Sequence, residues 1–129
     1  MTEPIFNYDK MSDTLYISFE PNKKATGIEL NENILLRLDK NERKAIGLTF
    51  FNFSILAQST EIGPRSFPLT GLAELSAELK QIVLFVLLDS PIKNILLLSA
   101  YTPSFQEIIP ITSFKSSEEM RPYTEFAVA

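Results

Sequence analysis

Three strand patterns follow one another closely in the first half of the chain, at residues 15–19, 26–39 (broken near Asn31) and 45–53, with only short polar turns between them. Connections that short return each strand beside the last, so the run specifies an antiparallel meander. Alternation then sets the faces. Leu15, Ile17 and Phe19 share one side, with Tyr16 and Ser18 on the other. Ile34, Leu36 and Leu38 point one way and Arg37 the other, and Ile46, Leu48 and Phe50 return to the same core. Pro21-Asn22-Lys23-Lys24 and Asn31-Glu32-Asn33 are turn chemistry. Asp39-Lys40-Asn41-Glu42 is the clearest turn, since Asp39 can bond its following backbone and Asn41 tolerates positive φ. Gly27 predicts a bulge or a close backbone approach. Asn7, Tyr8 and Asp9, up to Asp13, read as a polar lead-in. Phe51-Asn52-Phe53 is apolar on both faces and predicts cover on both sides of the strand end.

The second half has a different grammar. Residues 54–66 read as a linker or crossing loop, opening on a helical turn or the strand's tail at Ser54-Ile55-Leu56-Ala57. Thr70 is the expected N-cap of a helix carrying Leu72, Leu75, Leu79, Ile82, Val83 and Val86 at three- and four-residue steps. Toward its end Leu84, Phe85, Leu87 and Leu88 make it apolar all round, which predicts burial, in part under another subunit. Ser90-Pro91 stops it. Residues 95–101 read as a buried strand. Residues 107–112 read as an edge strand, because Pro110 cannot donate to a ladder. The tail, 115–129, holds Tyr123 and Phe126 without a period, and ragged ends are expected at 1–3 and 115–129. The expected fold is α+β: an N-terminal antiparallel β-meander, extended by C-terminal strands, with one main amphipathic helix packed on the sheet. It is one domain over 1–129, with the meander at 6–54 and the helix plus two strands at 62–114.

Absent side chains exclude most chemistry. The 129 residues include no cysteine and no histidine. Disulfides, thiolate nucleophiles, imidazole bases and the usual zinc or copper ligands go with them. Net charge is −4, with no basic field in either half, so no nucleic-acid partner is expected. The longest apolar run, residues 82–88, is far short of the about 20 residues that span a bilayer. The opening Met-Thr-Glu-Pro lacks a secretory pattern, and with the missing cysteines this points to the cytoplasm. No glycine-rich phosphate loop occurs, so no cofactor is expected.

The first half resembles the small bacterial proteins grouped as the domain of unknown function 2283. Tyr8-Asp9, Asp13-Thr14-Leu15-Tyr16-Ile17, the strand from Ile34 to its Leu-Asp end at Asp39, and Ile46-Gly47-Leu48 carry the resemblance. It covers roughly residues 6–54 and implies a small antiparallel sheet with no assigned activity.

Two groups of residues are candidates for function. The first is a polar cluster of Tyr8, Asp9, Asp13 and Glu29. Asp9 and Asp13, with Asn7 and Tyr8, supply oxygens for a hard cation, but too few and without the spacing of a calcium loop, so no metal is expected. Asp13 or Asp9 with Glu29 would make a carboxylate pair for acid–base work if the fold converged them. Ser54 and Ser99 lack an activating base and a nucleophile elbow. The second group is apolar: Phe51 and Phe53 at the strand end, Phe85 and Leu88 at the helix end, a candidate subunit interface. Poverty of reactive groups points to a non-enzymatic interaction or structural module forming a homo-oligomer, in the first instance a dimer. The alternatives are a regulator or neutralising, antitoxin-like partner of another small protein, and a carboxylate-based enzyme or small-ligand binder.

Overall fold

A computed structural model describes residues 3–115 and 120–124; Phe126 and the rest of the tail lie outside the described residues. Five strands form the first sheet: β1 (Ile5–Asp9), β2 (Thr14–Ser18), β3 (Thr26–Glu29), β4 (Ile34–Asp39) and β5 (Lys44–Phe51), in the order β1-β2-β5-β4-β3 with every pairing antiparallel. The class is α+β with an antiparallel meander over β3-β4-β5, but the turn at Pro21 does not set β3 beside β2, whose second neighbour is β5. What reads from sequence as a polar lead-in is a strand. Phe6 and Tyr8 of β1 turn inward beside Ile17 and Leu15, while Ile5, Asn7 and Asp9 face out.

Both four-residue hairpin loops of this sheet begin Asp-Lys. Asp9 and Thr14 close one, Asp39 and Lys44 the other. Asp9 Oδ1 accepts from Met11 N, and Asp39 Oδ1 accepts from Asn41 N and Glu42 N. The left-handed residue is the last of each loop, Asp13 (φ 53°) and Arg43 (φ 53°), rather than Asn41. A type of loop that returns the chain after four residues needs that conformation where the strand restarts. Asn22 (φ 66°) serves the β2–β3 turn.

Leu15, Ile17, Ile34, Leu36, Leu38, Leu48 and Phe50 are all buried on one face. The bulge is not at Gly27, where a Cβ would meet only Leu35 Cδ1 at 3.6 Å. It lies in β5, where Leu38 pairs with Ala45 and Arg37 with Gly47, leaving Ile46 as the extra residue. Ile46 is fully buried but outside the main core cluster; Ala45 takes the core position. The close approach belongs to Gly47, whose Cβ would stand 2.9 Å from Ile17 O. Nor is the end of β5 covered on both sides. Phe51 is exposed, and Asn52 (φ 56°) turns the chain so that Phe53 opens a helical turn, α1 (Phe53–Leu56).

A two-residue hairpin, β6 (Ser59–Thr60) and β7 (Gly63–Pro64), precedes β8 (Phe67–Pro68). A 3-10 turn follows over Thr70–Glu74. Gly71 N donates to Leu30 O at the end of β3, and a Cβ there would overlap Glu29 O, so only glycine allows this crossing. Leu75 is extended and ends that turn. The main helix α2 (Ala77–Leu87) therefore starts later than the Leu periodicity predicts, and Ser76, not Thr70, is its N-cap, accepting from Leu79 N. Its Ile82, Val83, Val86 and Leu87 join the core.

The C-terminal strands β9 (Leu96–Ser104) and β10 (Glu107–Phe114) form their own sheet, in the order β8-β10-β9, rather than adding to the first. β10 is central, not an edge. Leu69 N donates to Pro110 O, so the proline's donor-less nitrogen faces the same side, where the short β8 has ended. The predicted buried strand is buried only at its start, at Ile95 and Leu96. Phe114 reaches down to Phe50 (5.0 Å) and Phe53 (5.4 Å), tying the second sheet to the first. Beyond that junction a short helix, α3 (Arg121–Thr124), places Tyr123 in a stack on Phe6 at 5.2 Å.

Candidate functional site

The polar cluster separates into three places. Asp13, held in the left-handed conformation at the end of the β1–β2 loop, turns its carboxylate back on the sheet end. Tyr8 Oη donates to its Oδ1 at 2.6 Å and Ser54 Oγ to its Oδ2 at 2.6 Å. Ser54 N approaches both oxygens, at 3.0 and 3.2 Å. The backbone repeats the tie, since Phe53 N donates to Asp13 O. Asn52 caps α1 with no side-chain bond, so Asp13 supplies from another hairpin the acceptor this helical turn lacks.

Desolvation pushes the Asp13 carboxyl upward, but the hydrogen bonds from the Ser54 hydroxyl, the Tyr8 hydroxyl and the Ser54 amide outweigh it and bring it below the ordinary carboxylate value. The same bond from the other end holds the Tyr8 hydroxyl back, pushed up to about 12, with desolvation and the Asp13 and Asp9 charges adding to it. A carboxylate whose oxygens are so engaged is a structural tie. Both of its oxygens are already committed to Tyr8 and Ser54.

Asp9 serves its own loop, accepting from Met11 N and Ser12 Oγ. Glu29 is elsewhere. Tyr16, Thr49, Leu35 and Glu29 form one row across the sheet, so β3 stands three strand spacings, about 14 Å, from β2. The fold does not bring Glu29 to either aspartate. No group of three or more acidic side chains close enough to hold a metal ion occurs among the described residues.

A cavity of about 480 Å³ lies on the other side of the molecule. Phe19, Pro91 and Ile95 give it apolar walls, and Glu3, Glu20 and Lys44 its polar groups. Lys44 is already engaged, with Glu42 at 2.7 Å and Glu20 at 3.0 Å, and Lys23 joins the same surface network. None of Tyr8, Asp9, Asp13 or Glu29 lines it.

The apolar candidates also part company. Phe53 is core, packed between Tyr8, Phe50 and Phe114. Phe51, Phe85 and Leu88 are 38%, 50% and 62% exposed. A larger apolar surface, read from sequence as buried strand, lies on the β9–β10 hairpin. Every residue from 99 to 108 is exposed. Leu97 is 54% exposed, Tyr101 55%, Ile108 69% and Phe105, at the tip, fully. Leu97, Ser99 and Tyr101 share a face with Ser113, Ile111 and Ile109 of β10, opposite the face that carries Leu96, Leu98, Thr112 and Phe114. Nothing local in the sequence marks this exposure, because the absence of charge from 94 to 106 is also what a buried strand shows.

No match to the chain was found among curated proteins or among solved structures. Residues 5–54, the five-stranded sheet with its Asp13-tied helical turn, match the model of the family described as "Protein of unknown function (DUF2283)", the family the first half resembles in sequence.

Proposed function

We propose that this chain is a non-enzymatic protein-interaction module that works as a homo-oligomer in a bacterial cytoplasm. The observation that carries the reading is the β9–β10 arm, with Leu97, Tyr101, Phe105 and Ile108 standing in water. Exposed apolar surface of that extent on a small protein marks an interaction site. The dispersal of Asp9, Asp13 and Glu29 supports it, because it leaves the carboxylate reading without a site. The missing thiols fit a reducing compartment. The experiment is solution mass by light scattering across 1 to 100 micromolar, order-of-magnitude concentrations at which standard-size interfaces assemble. The expected result is a species of at least twice the 14.6 kDa chain mass. A chain that stays at single mass throughout removes the oligomer.

A further inference from the structure

Sheet edges are where one chain pairs with another, and proteins blunt them with shortness, charge, proline or cover. Among the described residues β1 has five residues and ends on Asp9, and β8 has two and includes Pro68. β3 has four, and the Gly71 crossing bonds to Leu30 at its end. β9 is different. It has nine residues, a partner on one side only and no charge.

The direction of its backbone groups follows from three bonds. Lys115 N donates to Ile95 O, and Thr112 Oγ1 to Leu97 O, so the odd-numbered residues face β10. Leu69 N to Pro110 O turns the even residues of β10 toward β8, which agrees. Leu98 and Ala100 therefore present N–H and C=O to the open edge. A bulge follows, with Thr102 and Pro103 both opposite Ile108, since Ser104 pairs with Glu107 and Tyr101 with Ile109. It blunts the tip and leaves residues 96–101 straight.

We infer that β9 pairs antiparallel with β9 of a second copy, about a two-fold axis through Ser99. The inference rests on the interaction reading above and gives it a surface and a partner. In this register Leu98 exchanges both backbone bonds with the partner's Ala100, and Ala100 does the same with the partner's Leu98. On the outer face Leu97 lies against the partner's Tyr101, and Tyr101 against the partner's Leu97, an aromatic–aliphatic cross-strand pair on each side of the axis. Two three-stranded sheets become one continuous sheet.

Charge is compatible with a second copy and gives a basic partner no hold. The chain carries −4 overall, yet residues 94–106 carry none. A strongly basic partner gains nothing on this segment, whereas an equally acidic second copy meets no repulsion there. Tyr101, 55% exposed and on the pairing segment, alone offers on the order of 100 Å² at aromatic side-chain sizes, toward the about 800 Å² per partner of a standard interface.

The absence of native cysteine makes the test direct. A non-hydrogen-bonded pair on a two-fold sets its two Cα atoms about 4.5 Å apart, within the roughly 4.4–6.8 Å that a disulfide spans. Ser99→Cys, exposed and nearly isosteric, is compared under mild oxidation with Leu88→Cys at the exposed helix end, at micromolar full-length protein, with circular dichroism recorded for both. The expected result is cross-linking to double mass at least tenfold faster for Ser99→Cys. Equal or slower cross-linking overturns the pairing. If the unmodified chain is still oligomeric by light scattering, the interaction reading stands and only this surface falls; a monomeric chain takes both down.

Discussion

The five-stranded sheet and the β9–β10 arm use the same residue types to opposite ends. In the sheet Leu, Ile and Phe alternate with polar residues, and the apolar set is buried to the last side chain at Leu15, Leu36 and Phe50. In the arm Leu97 and Tyr101 share one face of β9, Ile108 lies on the other face of the hairpin, and all three remain in water. Period alone therefore tells which side chains share a face, not whether anything covers it. Cover depends on elements far away in sequence: Phe114 and α2 roof the sheet, and nothing in the described residues roofs the outer face of the arm. The family match follows the same division, ending at residue 54, just past the last strand of the first sheet.

The contrast breaks most severely in the sheet. Leu36→Ala removes a fully buried side chain at the centre of β4 and should cost about 2–5 kcal/mol in chemical denaturation. Gly71→Ala drives a Cβ into Glu29 O and should cost about 1–3 kcal/mol, with amide exchange rising along β3 because the crossing must lift. Asp13→Asn keeps a residue that tolerates the left-handed conformation but removes the charge and turns one of the two acceptor oxygens into a donor, so a loss of about 2 kcal/mol would measure the tie to Tyr8 and Ser54.

That tie also has a pH signature. The Asp13 carboxyl is lower in the folded chain, so its contribution is whole above the ordinary carboxylate value and fades as pH falls through the folded one. The Tyr8 hydroxyl is raised from 10.0 to about 12, so its contribution is whole below pH 10.0 and is lost as pH climbs to about 12. Tyr8→Phe should abolish that alkaline difference in thermal melts against the parent chain. At the small end stands Phe105→Ser. At concentrations low enough to keep chains apart it should move unfolding by no more than about 0.5 kcal/mol. A larger shift would mean the tip is packed and the two regions are alike after all.

Much of the sheet was legible because its determinants are local. Alternation gave Ile34, Leu36 and Leu38, and Asp39 marked its own turn. The β1–β2 loop carried the same Asp-Lys opening, and the strand before it was still missed, because Asn7 and Asp9 on its outer face hide the inward Phe6 and Tyr8. The leucine spacing sets the helix start too early for a similar reason. Leucine spacing runs from Leu72 through Leu79, but Gly71 must cross β3 first, and no local signal reports that contact. Pro110 reads as an edge residue until β8 proves too short to need its donor. The candidate site was half visible. Asp13 and Tyr8 stand together through adjacent strands, but Ser54, which completes the tie, arrives from residue 41 positions later, and Glu29 departs across three strands. The arm went unread because its missing charges look like burial.

Among the described residues, the Gly71 crossing, the Pro68 stub and the brevity of β1 leave the two larger sheets with β9 as their one long unblunted edge. Such a building block is monovalent: a first addition uses up the place where a second would go. On the β9 pairing proposed above, association would stop at a closed pair, and the same glycine that shapes the fold would guard the molecule against becoming a fibre.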